Sequence, residues 1–219
     1  MQNISTESAK FSPINITGIG YEKREIRYKY DNYGFLKQID PKEFKYNLTY
    51  KFKQSTNSEM VQLRLGWLQL HLNEDFKNLT VVDIGSGNMR FVDDGKPYFK
   101  RIVPFDLDGE SITKEELYDT LWDVVCMFDV LEHYKNIDEF FDLKFRYAYI
   151  SYPEYHNTPL KEWRHYKPDE HIYCLNREGM RKFVDGKAEI IAEGCPEDII
   201  RKRWDNQLNN ISSVLLKRI

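Results

Sequence analysis

Four short apolar runs, "LTVVDI", "KRIVPFD", "WDVVCMF" and "YAYISYP", recur between residues 79 and 153, each followed by a longer amphipathic or polar piece. Runs of strand length alternating with pieces of helix length predict a mostly parallel sheet covered by helices. Parallel strands need a crossover between them, and the crossover segments cover both faces. A helix is expected from Ser58, whose hydroxyl can cap the first free N–H groups. Met60, Val61, Leu63, Leu65, Trp67, Leu68 and Leu72 give it a broad apolar face that runs out near "NEDFKNL". A further helix near "NREGMRKFV" and two late strands, "KAEIIAE" and "ISSVLLKRI", complete an α/β domain over residues 58–219.

Residues 1–57 read differently. Tyr21, Tyr28, Tyr30, Tyr33, Phe35, Phe44, Tyr46, Tyr50 and Phe52 stand among polar residues with poor periodicity, interrupted by Gly34 and Pro41. The expectation is an aromatic-rich extension of short helices and loops that packs on the main domain and caps its active site. With 41% hydrophobic and 31% charged residues the composition is globular. A net charge of −3 supplies no global field for nucleic acid, although it does not exclude a local basic patch. Cys126, Cys174 and Cys195 are odd in number and form no CxxC pair, which argues against a disulfide framework and suits a reducing compartment. The N-terminus lacks an apolar signal core, and no run approaches ~18 apolar residues. A cytoplasmic address without a membrane partner is therefore expected; nothing fixes an oligomeric state.

The stretch "VVDIGSGNMR", residues 81–90, carries the chemistry. A strand, a glycine loop and a helix let a ligand approach the backbone closely. In the dinucleotide-binding pattern the third glycine would fall at position 90, which is Arg90. Asp83, two residues before Gly85, would also repel a pyrophosphate. The same carboxylate favours a cationic ligand. Some 23 residues on, Asp106 in "VPFDLD" offers two acceptor oxygens that match a vicinal diol such as a ribose.

Together "VVDIGSGNMRF", "FDLD" and "WDVVCMFDVLEH" resemble the class I S-adenosylmethionine-dependent methyltransferases over about residues 78–185. The branch most similar contains ubiquinone-pathway O-methyltransferases, with the same V-L-E-H stretch. The resemblance implies a Rossmann-like sheet and S-adenosylmethionine as cofactor. It places the methionine part of the cofactor against Asp83, Gly85, Ser86 and Gly87, the ribose on Asp106, and Phe128 and Asp129 along the pocket. Two departures stand out. The third loop glycine of the family is Met89 here, so the backbone there is expected to take a shape that tolerates a side chain. The stretch between Leu107 and Trp122 is short for a helix, a third strand and a loop, and the acid that would face adenine has only Asp119 as its nearest counterpart.

"DVLEH" puts Asp129, Glu132 and His133 on one face if a helix starts there, at i, i+3 and i+4. Such a set can seat a divalent metal, Mg or Mn. Small-RNA 3′-end 2′-O-methyltransferases hold an ion with an E-x-x-E-H turn and a downstream histidine, which this arrangement resembles. Here that histidine would be His165 or His171 of "WRHYKPDEH". Packing and capping are the plainer roles for the same turn. Without a metal, His165 or His171 could be the general base that takes a hydroxyl proton. Arg164 could orient an anionic group. Glu154 and Tyr155 of "SYPEYH" follow a strand at the sheet edge where ligands of such folds bind. No D-P-P-Y-like stretch, Pro-Cys nucleophile, P-loop or G-x-S-x-G elbow is present, which argues against those reactions. The expected activity is methyl transfer to an oxygen of a small-molecule or glycan hydroxyl. The alternatives are metal-dependent 2′-O-methylation of an RNA ribose and a non-catalytic cofactor- or partner-binding subunit.

Overall fold

A computed structural model describes residues 16–19, 25–42, 57–106, 111–201 and 210–219. Its centre is a six-stranded sheet of β4 (Thr80–Ile84), β5 (Arg101–Phe105), β6 (Trp122–Phe128), β7 (Phe145–Pro153), β9 (Ala188–Gly194) and β10 (Ile211–Arg218). The spatial order is β5-β4-β6-β7-β10-β9. Strands β5, β4, β6 and β7 are mutually parallel, and β10 runs antiparallel to both its neighbours.

Strand alternation sorts the side chains onto two faces. Val81, Val124, Cys126, Tyr149 and Leu215 face one way; Val82, Val125, Met127, Ala148, Ile150 and Val214 face the other. The first face is covered by α1 (Ser58–His71) and α2 (Arg90–Gly95). Leu68 of α1 is fully buried there, which contributes about 2 kcal/mol for such a side chain. The cap of α1 is one residue earlier than expected: the Asn57 side chain accepts from Met60 N, while Ser58 Oγ accepts from Arg90 Nε. The second face is covered by the segment around Leu131–Leu143 and by α4 (Arg177–Val184), with α3 (Lys114–Asp119) beside them. A short α5 (Glu197–Arg201) follows β9. Between β5 and β6 the described residues contain α3 but no strand.

The expected helical extension is corrected over its described part. β1 (Ile16–Ile19), β2 (Glu25–Tyr30) and β3 (Leu36–Gln38) form an antiparallel sheet with β8 (Tyr173–Cys174), in the order β1-β2-β3-β8. "EIRYKY" alternates so that Ile26 and Tyr28 are buried and the charged residues point outward, the signature of a strand. Ile26, Tyr28 and Leu36 pack with Tyr155, Leu160, Trp163 and Cys174. The extension therefore supports the segment after β7 that carries both candidate histidines. The remainder of the expected cap, including residues 43–56, lies outside the described residues. Among the described residues, no helix is long and apolar enough to cross a membrane.

Candidate active site

Gly85 and Gly87 leave the carboxyl end of β4 in the left-handed region, at φ 72° and 50°. At Gly85 a Cβ would stand 2.4 Å from Val130 Cγ2, so the loop passes too close to the end of β6 for any side chain. Ser86 O accepts from Met89 N at 2.8 Å, closing the turn into α2. Met89 itself sits at φ 63°, ψ 2°. The backbone there, expected to take a shape that tolerates a side chain, lies in the left-handed region that glycine favours, and the methionine bears the strain, of order 1–2 kcal/mol.

Asp83 lies beneath this loop, 3% exposed, on the face turned toward α1. Burial pushes its carboxyl up to about 7; Arg64 opposes the shift and Asp106, at the end of β5, reinforces it. Arg64 was not singled out in the sequence. It is a charged residue on the apolar face of α1, which is the signal that could have found it. Its guanidinium lies 3.7 Å over the ring of Phe128, which also packs on Phe91 and Tyr149. Arg64 also pairs with Glu197 at 2.8 Å. Glu197, fully buried, accepts in addition from Ser151 Oγ and Arg201. The two arginines hold its carboxyl down at about 2, against burial. Arg201 Nη2 then reaches Asp129 Oδ2 at 2.9 Å.

That contact overturns one expectation. Asp129 adopts φ 57°, and its N–H donates to Ser151 O, so no α-helix starts there. A single 3-10 turn, Leu131–His133, follows instead. Asp129 is therefore turned away from Glu132 and His133 and toward Arg201. Its Oδ1 is buried without a hydrogen-bond partner.

Glu132 and His133 converge with His171, and not with Asp129 or His165, among the described residues. Glu132 is 1% exposed, and neither of its carboxylate oxygens has a hydrogen-bond partner. Burial first, and Asp129 second, push its carboxyl well up. The Nε2 atoms of His133 and His171 each stand 3.9 Å from Glu132 Oε1. Burial pushes both imidazoles down, His171 the further, so both are neutral at neutral pH. His165 is half-buried, its ring 6.0 Å from that of Trp163.

The substrate-side expectations are engaged internally. Glu154 pairs with Arg177 at 3.1 Å and accepts from Ser212 Oγ. Tyr155 is buried and donates to Thr158 O at 2.8 Å. Arg164 is exposed and donates to Asn210 Oδ1 at 3.0 Å.

This is the fold of the class I methyltransferases: a Rossmann-like parallel sheet with one reversed strand inserted near its end, and a glycine loop after the first of the parallel strands in sequence. By sequence the chain matches no family model and no curated protein. By structure it is similar to an S-adenosylmethionine-dependent methyltransferase from Clostridium acetobutylicum, with a TM-score of 0.55 at 9% identity over 75% of this chain and 92% of that one. One from Aquifex aeolicus gives 0.55 at 13% identity, over 80% and 100%. One from Archaeoglobus fulgidus gives 0.50 at 17%, over 78% and 100%.

Proposed function

We propose that this chain binds S-adenosylmethionine and transfers its methyl group to an oxygen of a small-molecule or glycan hydroxyl acceptor. The observation that carries the reading is a buried acid, Asp83, directly beneath a glycine loop that at Gly85 leaves no room for a Cβ. An anionic pyrophosphate is disfavoured there and a cationic ligand is favoured. The V-L-E-H stretch, which resembles that of the ubiquinone-pathway O-methyltransferases, supports an oxygen acceptor. The three free cysteines accord with a cytoplasmic address.

The residues fit the cofactor. Asp83 balances its positive charge, Gly85, Ser86 and Gly87 admit the methionine part, and Asp106 accepts from the ribose hydroxyls. The unpartnered Oδ1 of Asp129 is an acceptor for its ammonium group, and Phe128 walls the pocket. When bound, S-adenosylmethionine supplies a methyl group already activated on a sulfonium. The protein aligns the acceptor and keeps water out. The acceptor's proton is assigned to His165 rather than His171, because His171 is buried against Glu132. A divalent ion beside the acceptor belongs to the same proposal.

Calorimetry with S-adenosylmethionine and with its demethylated product tests this reading. Both are expected to bind at one per chain, with Asp83→Ala and Asp106→Ala each weakening binding at least about tenfold. His165→Ala should keep the affinity and lose transfer. Absence of binding to either compound leaves the non-catalytic alternative.

A further inference from the structure

We infer that Arg201, the last residue of α5, is a further cofactor-binding residue, whose guanidinium takes the carboxylate of the cofactor's amino-acid end beside the ammonium subsite at Asp129. This role rests on the methyltransferase reading, and it falls to a residue outside the 78–185 region of resemblance. Two unused groups stand side by side there. Asp129 Oδ1 is buried and has no hydrogen-bond partner, a costly state for a carboxylate oxygen. The other oxygen, Oδ2, accepts from Arg201 Nη2 at 2.9 Å. The remaining bonds of that guanidinium run to Glu197 Oε2, from Nε at 3.1 Å and from Nη2 at 2.8 Å. Among the described residues Nη1 makes no hydrogen bond, so it offers two N–H donors. One ion pair thus carries an open acceptor on its acid and open donors on its base. A ligand with an ammonium and a carboxylate on a single carbon answers both.

The surrounding structure holds this pair in shape before any ligand arrives. Glu197 is fully buried, and its other oxygen accepts from Arg64 Nε at 2.9 Å and from Ser151 Oγ at 3.0 Å. Asp129 donates its own N–H to Ser151 O and sits at φ 57°. Backbone of that kind persists where its neighbours over-determine it, as at ligand clamps. Elements α1, β7 and α5 therefore fix the guanidinium and the carboxylate together, which lowers the ordering cost of binding. The pair also lies where the loop would deliver the ligand. A Cβ on Gly85 would meet Val130, the residue after Asp129. The Arg201 side chain remains 25% exposed, so a ligand can reach it.

Charge separates this role from binding of an anionic acceptor. Two arginines, Arg64 and Arg201, are matched by two carboxylates, Glu197 and Asp129. An amino-acid end carries no net charge and enters without upsetting that balance. The sulfonium is then the one charge left over, and Asp83 answers it. A lone anion on Arg201 would instead add an unmatched charge beside Asp129 and leave Oδ1 without a donor. Guanidinium is also the side chain best suited to the task, because its fixed fork can serve Glu197, Asp129 and a third carboxylate at once.

The test compares S-adenosylmethionine with its decarboxylated analogue by calorimetry, on the full chain and on Arg201→Met and Arg201→Gln. The analogue keeps the sulfonium and the ammonium and lacks only the carboxylate. The parent should bind S-adenosylmethionine at least about tenfold more tightly than the analogue. Both variants should lose at least about tenfold in affinity for S-adenosylmethionine and nothing for the analogue, so that the preference disappears. In either variant Glu197 keeps its bonds to Arg64 and Ser151, and the melting temperature should stay within a few degrees of the parent's. A merely structural role would weaken both ligands alike. Variants that lose both ligands equally, or neither, overturn the role of Arg201 and leave the methyltransferase reading standing. A parent that binds neither compound overturns both.

Discussion

Asp83 is held as a neutral acid at mildly acidic pH by its surroundings, and the consequence can be measured. Its carboxyl titrates near 7 when folded, against an ordinary value of 3.8. The folded state therefore binds a proton that the unfolded chain releases. The stability this confers is full below about pH 4 and is lost as pH rises through about 7. Asp83→Asn should flatten that slope, leaving stability unchanged at pH 4 and raising it by a few kcal/mol at pH 8, as read by denaturant titration. A parent whose stability is flat over this range would contradict the placement. Cofactor affinity should move the opposite way in the parent, strengthening as pH rises and Asp83 ionises. Met89 marks the limit of what single residues disclose. Its identity broke the glycine pattern, yet the turn holds the glycine shape because Ser86 O and the start of α2 impose it.

At the scale of elements, α1 and α5 are joined by one buried network, Arg64–Glu197–Arg201. Glu197 titrates near 2, below its ordinary 4.5. Its contribution is present above about pH 4.5 and is lost as pH falls toward 2. Glu197→Gln should destabilise the protein by about 3–5 kcal/mol at neutral pH, because it leaves Arg64 buried without its partner. The deficit should shrink as the parent is acidified; unfolding curves at pH 7 and pH 3 would show it. These elements also show which parts of the fold were legible. The inner strands β4, β6, β7 and β10 were readable because each buries residues on both faces and forms an apolar run. The N-terminal strands were not: β2 buries only Ile26 and Tyr28, and β3 finds its partner in a two-residue strand more than 130 positions away. Long-range pairing leaves no local period. The turn after β6 failed for a different reason. The expected i, i+3, i+4 face assumed helical backbone, but Asp129 is left-handed, so Glu132 and His133 kept company with His171 instead.

Across the whole molecule, the order β5-β4-β6-β7-β10-β9 leaves β5 at one margin of the sheet, with α3 where a further strand and crossover would be expected. The shortness of the sequence between Leu107 and Trp122 had indicated this. Pro104 lies within that marginal strand. Phe105 O accepts from Gly85 N toward the interior of the sheet, so Pro104, one residue earlier, faces outward, and its carbonyl accepts from Ser111 Oγ. A proline has no N–H to offer and is tolerated in a sheet mainly at such a position. The outer row of β5 is thus short of a donor at its fourth residue, with a neighbouring acceptor already engaged. A strand from a second molecule arriving during folding would find few groups to zip onto. Pro104→Val should leave the melting temperature of the monomer within a few degrees but raise concentration-dependent light scattering during refolding. Refolding as clean as the parent's would mean that this margin is guarded by something else. The residue that looked like an interruption in "KRIVPFD" serves as insurance against misassembly.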